Sequence, residues 1–368
     1  MKVPQFSPWL TDEEYKEIYS CFERNWITEG PKSQEFSEEL LKLTKAKYGV
    51  FAPNGTLGLY LALKALRIGP NDEVIVPDFT FVGSATAVQM AGATPLFVDV
   101  NRENFQIDIS SCELKITPHT KAIMPVHIYG TCANMEEVIT FAKKHRLSVI
   151  EDAAQAIGVC FKEKHTGTFG DAGVFSFFAD KTITTGEGGF VITNNEETYK
   201  NLCLLRNQGR IHRGTFIHEE IGYNFRITDI QAAVGLVQIR KLKRIAEKKL
   251  NIAKQYTEQL KGIPGITFFK PQKQASWIPF RVAILHPDAH ALIDFMAEKE
   301  IQSRTFFYPL HKQPCFSYLS GAYQLSDTFF PNAVYGYDHG VCLPSFPAIS
   351  DEQIDFICQA IREFASHA

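Results

Sequence analysis

From about residue 50 to 195, short apolar runs alternate with helical patterns. NDEVIVPDF, ATPLFVDV, TKAIMPVHIYG, LSVIEDAA, GVFSFF and GFVIT are each bounded by polar or Gly/Pro residues, whereas Thr56–Leu66, Gly83–Gly92 and Met135–His145 carry helical spacing. Runs that are continuously apolar rather than alternating predict strands covered on both faces, as in a mainly parallel sheet. Strand and helix in turn predict a doubly wound α/β domain. Around Asp229 the pattern changes. TDIQAAVGLVQIRKLKRIAEKKLNIAKQYTEQLKGI reads as one long amphipathic helix or two in succession, stopped by Pro264–Gly265. Beyond it, a short strand region at 278–285 and helices over 287–300 and 351–365 predict a smaller α+β domain. The division expected is 1–245 for the large domain with an N-terminal arm, and 246–368 for the small one.

Composition narrows the class. The chain has 368 residues, 45% of them hydrophobic and 21% charged, with a formal net charge of −3. That balance argues against a general nucleic-acid binder but leaves room for a small anionic ligand. The eight cysteines are scattered without a C-x-x-C pair, which speaks against a disulfide framework or a zinc site and for a reducing cytoplasm. MKVPQFSPWLTDEEYKE lacks the apolar core of a signal peptide, and no run reaches the ~20 apolar residues of a membrane span. The sequence therefore predicts a cytoplasmic protein without membrane or nucleic-acid partners.

In an open α/β sheet, ligands bind outside the carboxyl ends of the strands. Phe79, Thr80 and Phe81 follow VIVPD. Glu151, Asp152 and Gln155 follow LSVI, and Ala179, Asp180 and Lys181 follow VFSFF. Lys181 is either a solvated loop lysine or a buried amine fit to form a Schiff base. Pyridoxal 5′-phosphate (PLP) chemistry needs such a lysine and an acid facing the pyridine nitrogen. Asp152 is placed to be that acid, or else simply caps AAQAIG as a helix. Asn54-Gly55-Thr56 stands at a helix start, where backbone N–H groups and the positive dipole end suit a phosphate; plain capping by Asn54 is the other reading. Ser176 adds a hydroxyl, and Phe81 a ring that stacks on the pyridine. GTFGDAG holds glycines but precedes a strand, so a dinucleotide or P-loop reading fails.

These residues sit in longer motifs. NWITEGP, NGTLGLYLAL, VPDFTFVGSATAVQMAGATPLFVDV, VIEDAAQAIG, TGTFGDAGVFSF, DKTITTGEGGFV, GYNFRITDIQAAVGLVQ and SRTFFYPLH together resemble the DegT/DnrJ/EryC1/StrS sugar aminotransferases, within the fold type I PLP enzymes. The resemblance implies that Lys181 holds PLP and serves as general acid/base, with Asp152 at the pyridine nitrogen and Gln155 at the ring hydroxyl. It implies Gly55, Thr56 and Ser176 at the phosphate, Phe81 on the ring, and Asn224 reaching the phosphate from a partner subunit. It also implies a homodimer with shared active sites. KTITTGEGG is similar to the branch that aminates carbon four (perosamine-synthase-like), implying a nucleotide-linked 4-keto-6-deoxyhexose acceptor, with GDP-4-keto-6-deoxymannose favoured and L-glutamate/2-oxoglutarate as the other pair. Trp26, Ile27, Thr28, Tyr308 and His311 are the expected sugar contacts; His311 reads equally as a satisfied surface or interface histidine. dTDP- or UDP-sugars, amination at carbon three, a PLP lyase or desulfurase, and a PLP-binding regulator without turnover remain as alternatives.

Overall fold

The computed structural model describes residues 1–367 apart from 212, 213, 215 and 322. Its nine N-terminal strands are β1 (Tyr48–Ala52), β2 (Glu73–Pro77), β3 (Thr94–Val98), β4 (Thr120–Ile123), β5 (Ser148–Asp152), β6 (Cys160–Phe161), β7 (Lys164–His165), β8 (Ala172–Ser176) and β9 (Gly189–Thr193). All but the β6–β7 hairpin join one seven-stranded sheet, ordered β1-β9-β8-β5-β4-β2-β3. Within it β9 runs against both neighbours and the remaining pairings are parallel.

Helices cover both faces, which is why the strands lack an exposed side. After α1 (Asp12–Glu23) and α2 (Pro31–Thr44) come α3 (Gly55–Ala65), α4 (Gly83–Met90), α5 (Ile109–Lys115), α6 (Met135–His145), α7 (Glu196–Arg206) and α8 (Asp229–Leu260). Val74, Val76, Ile150, Val174 and Val191 face one core with α3 and α4. Their neighbours Ile75, Ile123 and Val149 face another with α5 and α6. The six predicted strands and three predicted helices of this region are present; β1 is an additional edge strand.

The second unit has a four-stranded antiparallel sheet, β10 (Thr267–Phe268), β11 (Val282–Leu285), β12 (Arg304–Thr305) and β13 (Gly340–Leu343), ordered β10-β11-β13-β12. It is packed with α9 (Ala289–Glu298), α10 (Pro331–His339) and α11 (Asp351–His367). α8 is one unbroken helix of 32 residues, started by a capping box between Thr228 and Gln231. Its residues Leu236, Leu242 and Ile245 belong to a core under the large sheet. Ile252, Ala253, Tyr256 and Leu260 belong to the core of the small unit. The N-terminal arm departs from the expected division: Val3 pairs with Ile301 and is buried in the small unit's core.

AAQAIG is not helical. His165 Nε2 accepts from Gly158 N–H, and Thr166 Oγ1 donates to the Ala156 carbonyl, so these backbone groups are used across the chain rather than within a helix. Among the described residues no helix is long and apolar enough to cross a membrane, and no cluster of metal-ligating side chains occurs.

Candidate active site

A cavity of about 620 Å³ opens between the carboxyl rim of the large sheet and the face of β11–β13. Its size lies within the usual range for small-molecule sites. Gly55, Thr56, Phe81, Asp152, Gln155, Ser176 and Lys181 all line it. Seven residues far apart in sequence therefore share one space because β1, β2, β5 and β8 end at the same rim.

The floor begins at α3. Asn54 Oδ1 accepts from Leu57 N–H at 2.9 Å and caps the helix. Helix geometry leaves the N–H groups of Gly55 and Thr56 without an intrahelical acceptor, at the positive end of the dipole. A Cβ on Gly55 would come within 2.9 Å of the Ser176 Cβ, so glycine is what lets the helix start and the Ser176 hydroxyl meet in one cradle. That arrangement fits a phosphate. Capping and cradle are compatible, because Asn54 serves a different N–H.

Asp152 is buried at the end of β5. Its Oδ2 accepts from the Ser84 hydroxyl at 2.7 Å and its Oδ1 from Ala154 N–H at 3.1 Å. Burial raises its carboxyl above the ordinary carboxylate range, against these two bonds and the charges of Lys181 and His127. An acid that retains its proton more readily suits a pyridine nitrogen, with which it would share that proton. Gln155 Oε1 accepts from Tyr129 N–H at 2.8 Å, leaving the amide NH₂ as its donor. Phe81 is 60% exposed at the cavity mouth, free to lie against a planar ring.

Lys181 lies at the cavity wall, its Nζ 4.7 Å from the Phe280 ring centroid and 3.9 Å from Asp180 Oδ1. Burial lowers its ammonium from the ordinary lysine value, with Arg281 adding and Asp180 and Asp152 opposing. Another lysine nearby, the buried Lys249 of α8, is pushed down to about 7 by burial and Arg281. Its Nζ, however, donates to the carbonyls of Pro279 (3.1 Å), Phe280 (3.4 Å) and Ser345 (3.1 Å). These three acceptors engage the Lys249 nitrogen away from the cavity, whose lining does not include it. Lys181 is thus the amine presented there.

Five expected contacts fall elsewhere in this chain. Trp26, Ile27 and Thr28 are exposed beside the start of α8, where the carbonyls of Ile27 and Thr28 accept from Asp229 N–H. Tyr308 is outside the cavity lining, its ring edge-on to Tyr337. His311 is buried rather than presented to a ligand: Nδ1 meets Asp78 Oδ2 at 2.7 Å, Nε2 meets Asp327 Oδ1 at 3.0 Å, and the ring stacks on Phe330. The polar groups that bound it leave no nitrogen for a hexose. Asn224 is exposed and lines a separate surface depression with Gln208 and His218.

Sequence reasoning missed Ser84, Tyr129, Phe280, Arg281, Arg304 and Phe307, all on the cavity wall. Arg281 had a signal, a lone charge at the head of the apolar run VAIL. Ser84 had none beyond its place three residues after Phe81.

Comparison with known proteins agrees with this geometry. The sequence profile of the DegT/DnrJ/EryC1/StrS aminotransferase family matches residues 8–362. The chain is 39% identical over 368 residues to a GDP-perosamine synthase of Escherichia coli O157:H7, covering 99% of each chain. It is 34% identical over 372 residues to a GDP-perosamine synthase of Vibrio cholerae, covering 98% of this chain and 99% of the other. Among solved structures, it matches the PLP form of a protein described as a sugar aminotransferase from Streptococcus pneumoniae with a TM-score of 0.94 at 26% identity, over 100% and 99% of the two chains.

Proposed function

This chain belongs to the DegT/DnrJ/EryC1/StrS aminotransferase family, and from that premise we propose that it moves the amino group of L-glutamate to carbon four of a nucleotide-linked 4-keto-6-deoxyhexose. GDP-4-keto-6-deoxymannose is the favoured acceptor, since the chain is similar along its whole length to GDP-perosamine synthases. We read the protein as a cytoplasmic homodimer that serves amino-sugar and O-antigen synthesis. The observation that carries the transaminase reading is the meeting of Lys181, Asp152 and the Gly55–Thr56 helix start around one cavity.

PLP, when bound, supplies an electron sink for the pair left on a substrate carbon that loses its proton. The N–H groups of Gly55 and Thr56 and the hydroxyl of Ser176 would hold its phosphate. Phe81 would lie against its ring and the Gln155 amide would donate to the ring hydroxyl. Asp152, kept in place by Ser84 and Ala154 N–H, would hold a proton at the ring nitrogen. Lys181 would anchor the cofactor by its Nζ. The same Nζ would also move the protons, taking one from the glutamate α-carbon and, in the second half of the reaction, delivering one to carbon four of the sugar. Glutamate leaves as 2-oxoglutarate and the keto sugar leaves as the amine.

Outside its own cavity this chain exposes Phe216, Ile217 and Ile221 beside Asn224. That apolar loop supports a partner subunit seated on it, and Asn224 would then reach the partner's phosphate. The test of the reaction is a panel of GDP-, UDP- and dTDP-linked 4-keto-6-deoxy sugars with PLP and glutamate, read by mass spectrometry. Amination of the GDP sugar is expected. Amination of a different nucleotide sugar would replace the substrate, and failure to form 2-oxoglutarate with any acceptor would defeat the proposal.

A further inference from the structure

Asp180 stands directly before Lys181 and is ion-paired with Arg281, at 11% and 7% side-chain exposure. Arg281 Nη2 donates to Asp180 Oδ2. The other oxygen, Oδ1, is buried, accepts no hydrogen bond, and faces Lys181 Nζ at 3.9 Å. A buried carboxylate oxygen without a donor is costly, and a small movement of a flexible lysine would supply one.

We propose that the Asp180–Arg281 ion pair is a positioning element that sets the proton affinity of Lys181, with Asp180 Oδ1 receiving the ammonium and Arg281 limiting the pull of that carboxylate. The inference rests on Lys181 being the reacting amine. A base that takes a proton and returns it in each cycle works best when neither form is locked in. Asp180 alone would hold Lys181 as an ammonium, because an opposite charge at this range favours the charged form. Arg281 alone would drive it neutral. Paired, the two leave a residual field that burial and Asp152 complete.

The other charged groups around Lys181 do not duplicate this. Asp152, from β5, opposes the loss of its proton but is committed to Ser84 and Ala154. Lys249, from α8, shares a crevice with Lys181, Asp180 and Arg281 and is bound to three carbonyls. Glu187 and Arg304 line the cavity with Lys181. Phe280 contributes a ring face to both cations, 4.7 Å from Lys181 Nζ and 4.4 Å from the Arg281 guanidinium carbon.

The experiment is a pH titration of Lys181 in the full-length chain freed of cofactor. Brief acetic anhydride labelling would be quantified at Lys181 by peptide mass spectrometry. Asp180→Asn should move the labelling midpoint to lower pH by about one unit, and Arg281→Met should move it up by a similar amount. The double variant should return close to the parent chain, as paired charges require. A purely structural role would not give opposite signs. Midpoints that stay put in both single variants, or move the same way, overturn the proposal. Should a single variant fail to fold, Arg281→Lys keeps the charge and must keep the parent midpoint; a displaced midpoint there overturns it equally. If Lys181 of the parent titrates as an ordinary surface lysine while the opposite shifts persist, the pair stands and the reactive-amine role of Lys181 falls.

Discussion

Lys249 is buried and Lys181 partly buried beside Asp180 and Arg281, and their partners separate them further. Lys249 has its donors in three carbonyls, whereas Lys181 faces a ring and a single carboxylate oxygen. The strand-end rule located Lys181, Asp152 and Gln155 in the sequence because it depends only on topology. It did not locate Ser84, whose role comes from α4 leaning on the end of β5. Ser84→Ala removes a hydrogen bond to a buried carboxylate, a contribution of about 1.5–3 kcal/mol. PLP affinity should therefore fall ~10- to 100-fold, checked by equilibrium dialysis; unchanged affinity would mean that Asp152 is not the cofactor's acid.

At the scale of elements, the segment FFYPLH shows what a sequence leaves unstated. Its histidine was legible as functional or structural with equal ease, and the difference is which way a ring turns. In the folded chain Leu310 N–H donates to the Asp78 carbonyl at 3.0 Å and His311 N–H to Asp78 Oδ1 at 2.7 Å. The segment is thereby clamped to the end of β2, which carries Phe81 to the cavity. Although burial opposes it, the Asp78 and Asp327 carboxylates raise the His311 pKa above its ordinary value. A raised folded pKa means that stability from this clamp is full below about pH 6.5, the unfolded value, and is lost as pH rises through the folded one. Denaturant midpoints should decline over that alkaline limb in the parent chain and lose this component in His311→Asn. The substitution itself should cost about 3–5 kcal/mol, because Asp78 is left buried without its partner; a loss under ~1 kcal/mol would contradict the clamp. The reversed strand β9 was equally hidden, since a strand buried on both faces reads the same in either direction.

For the whole molecule, the long helix α8 was legible from its period and its Pro264–Gly265 stop, as one helix or two, and the small unit from the mixed strand and helix pattern beyond that stop. The attachment of Val3 to that unit was not, because a single β-bridge leaves no pattern. Asn224 belongs to this scale. In one chain it lies outside the cavity, so its expected place at a phosphate requires a second copy. Asn224→Ala should weaken PLP retention in the assembled protein by ~10-fold, the worth of about one hydrogen bond to a charged group. Sedimentation should meanwhile show a dimer. A monomer that turns over, or full retention in the variant, would remove the shared site.

The central claim, that Lys181 carries the cofactor and the chemistry, is tested most directly by borohydride reduction of the PLP-loaded protein and peptide mapping of the product. The pyridoxyl group should sit on Lys181 alone, and Lys181→Ala should lose both the label and turnover, the latter by at least ~10²–10⁴-fold. A label on Lys249, or a Lys181→Ala protein that still forms 2-oxoglutarate at the parent rate, would contradict it.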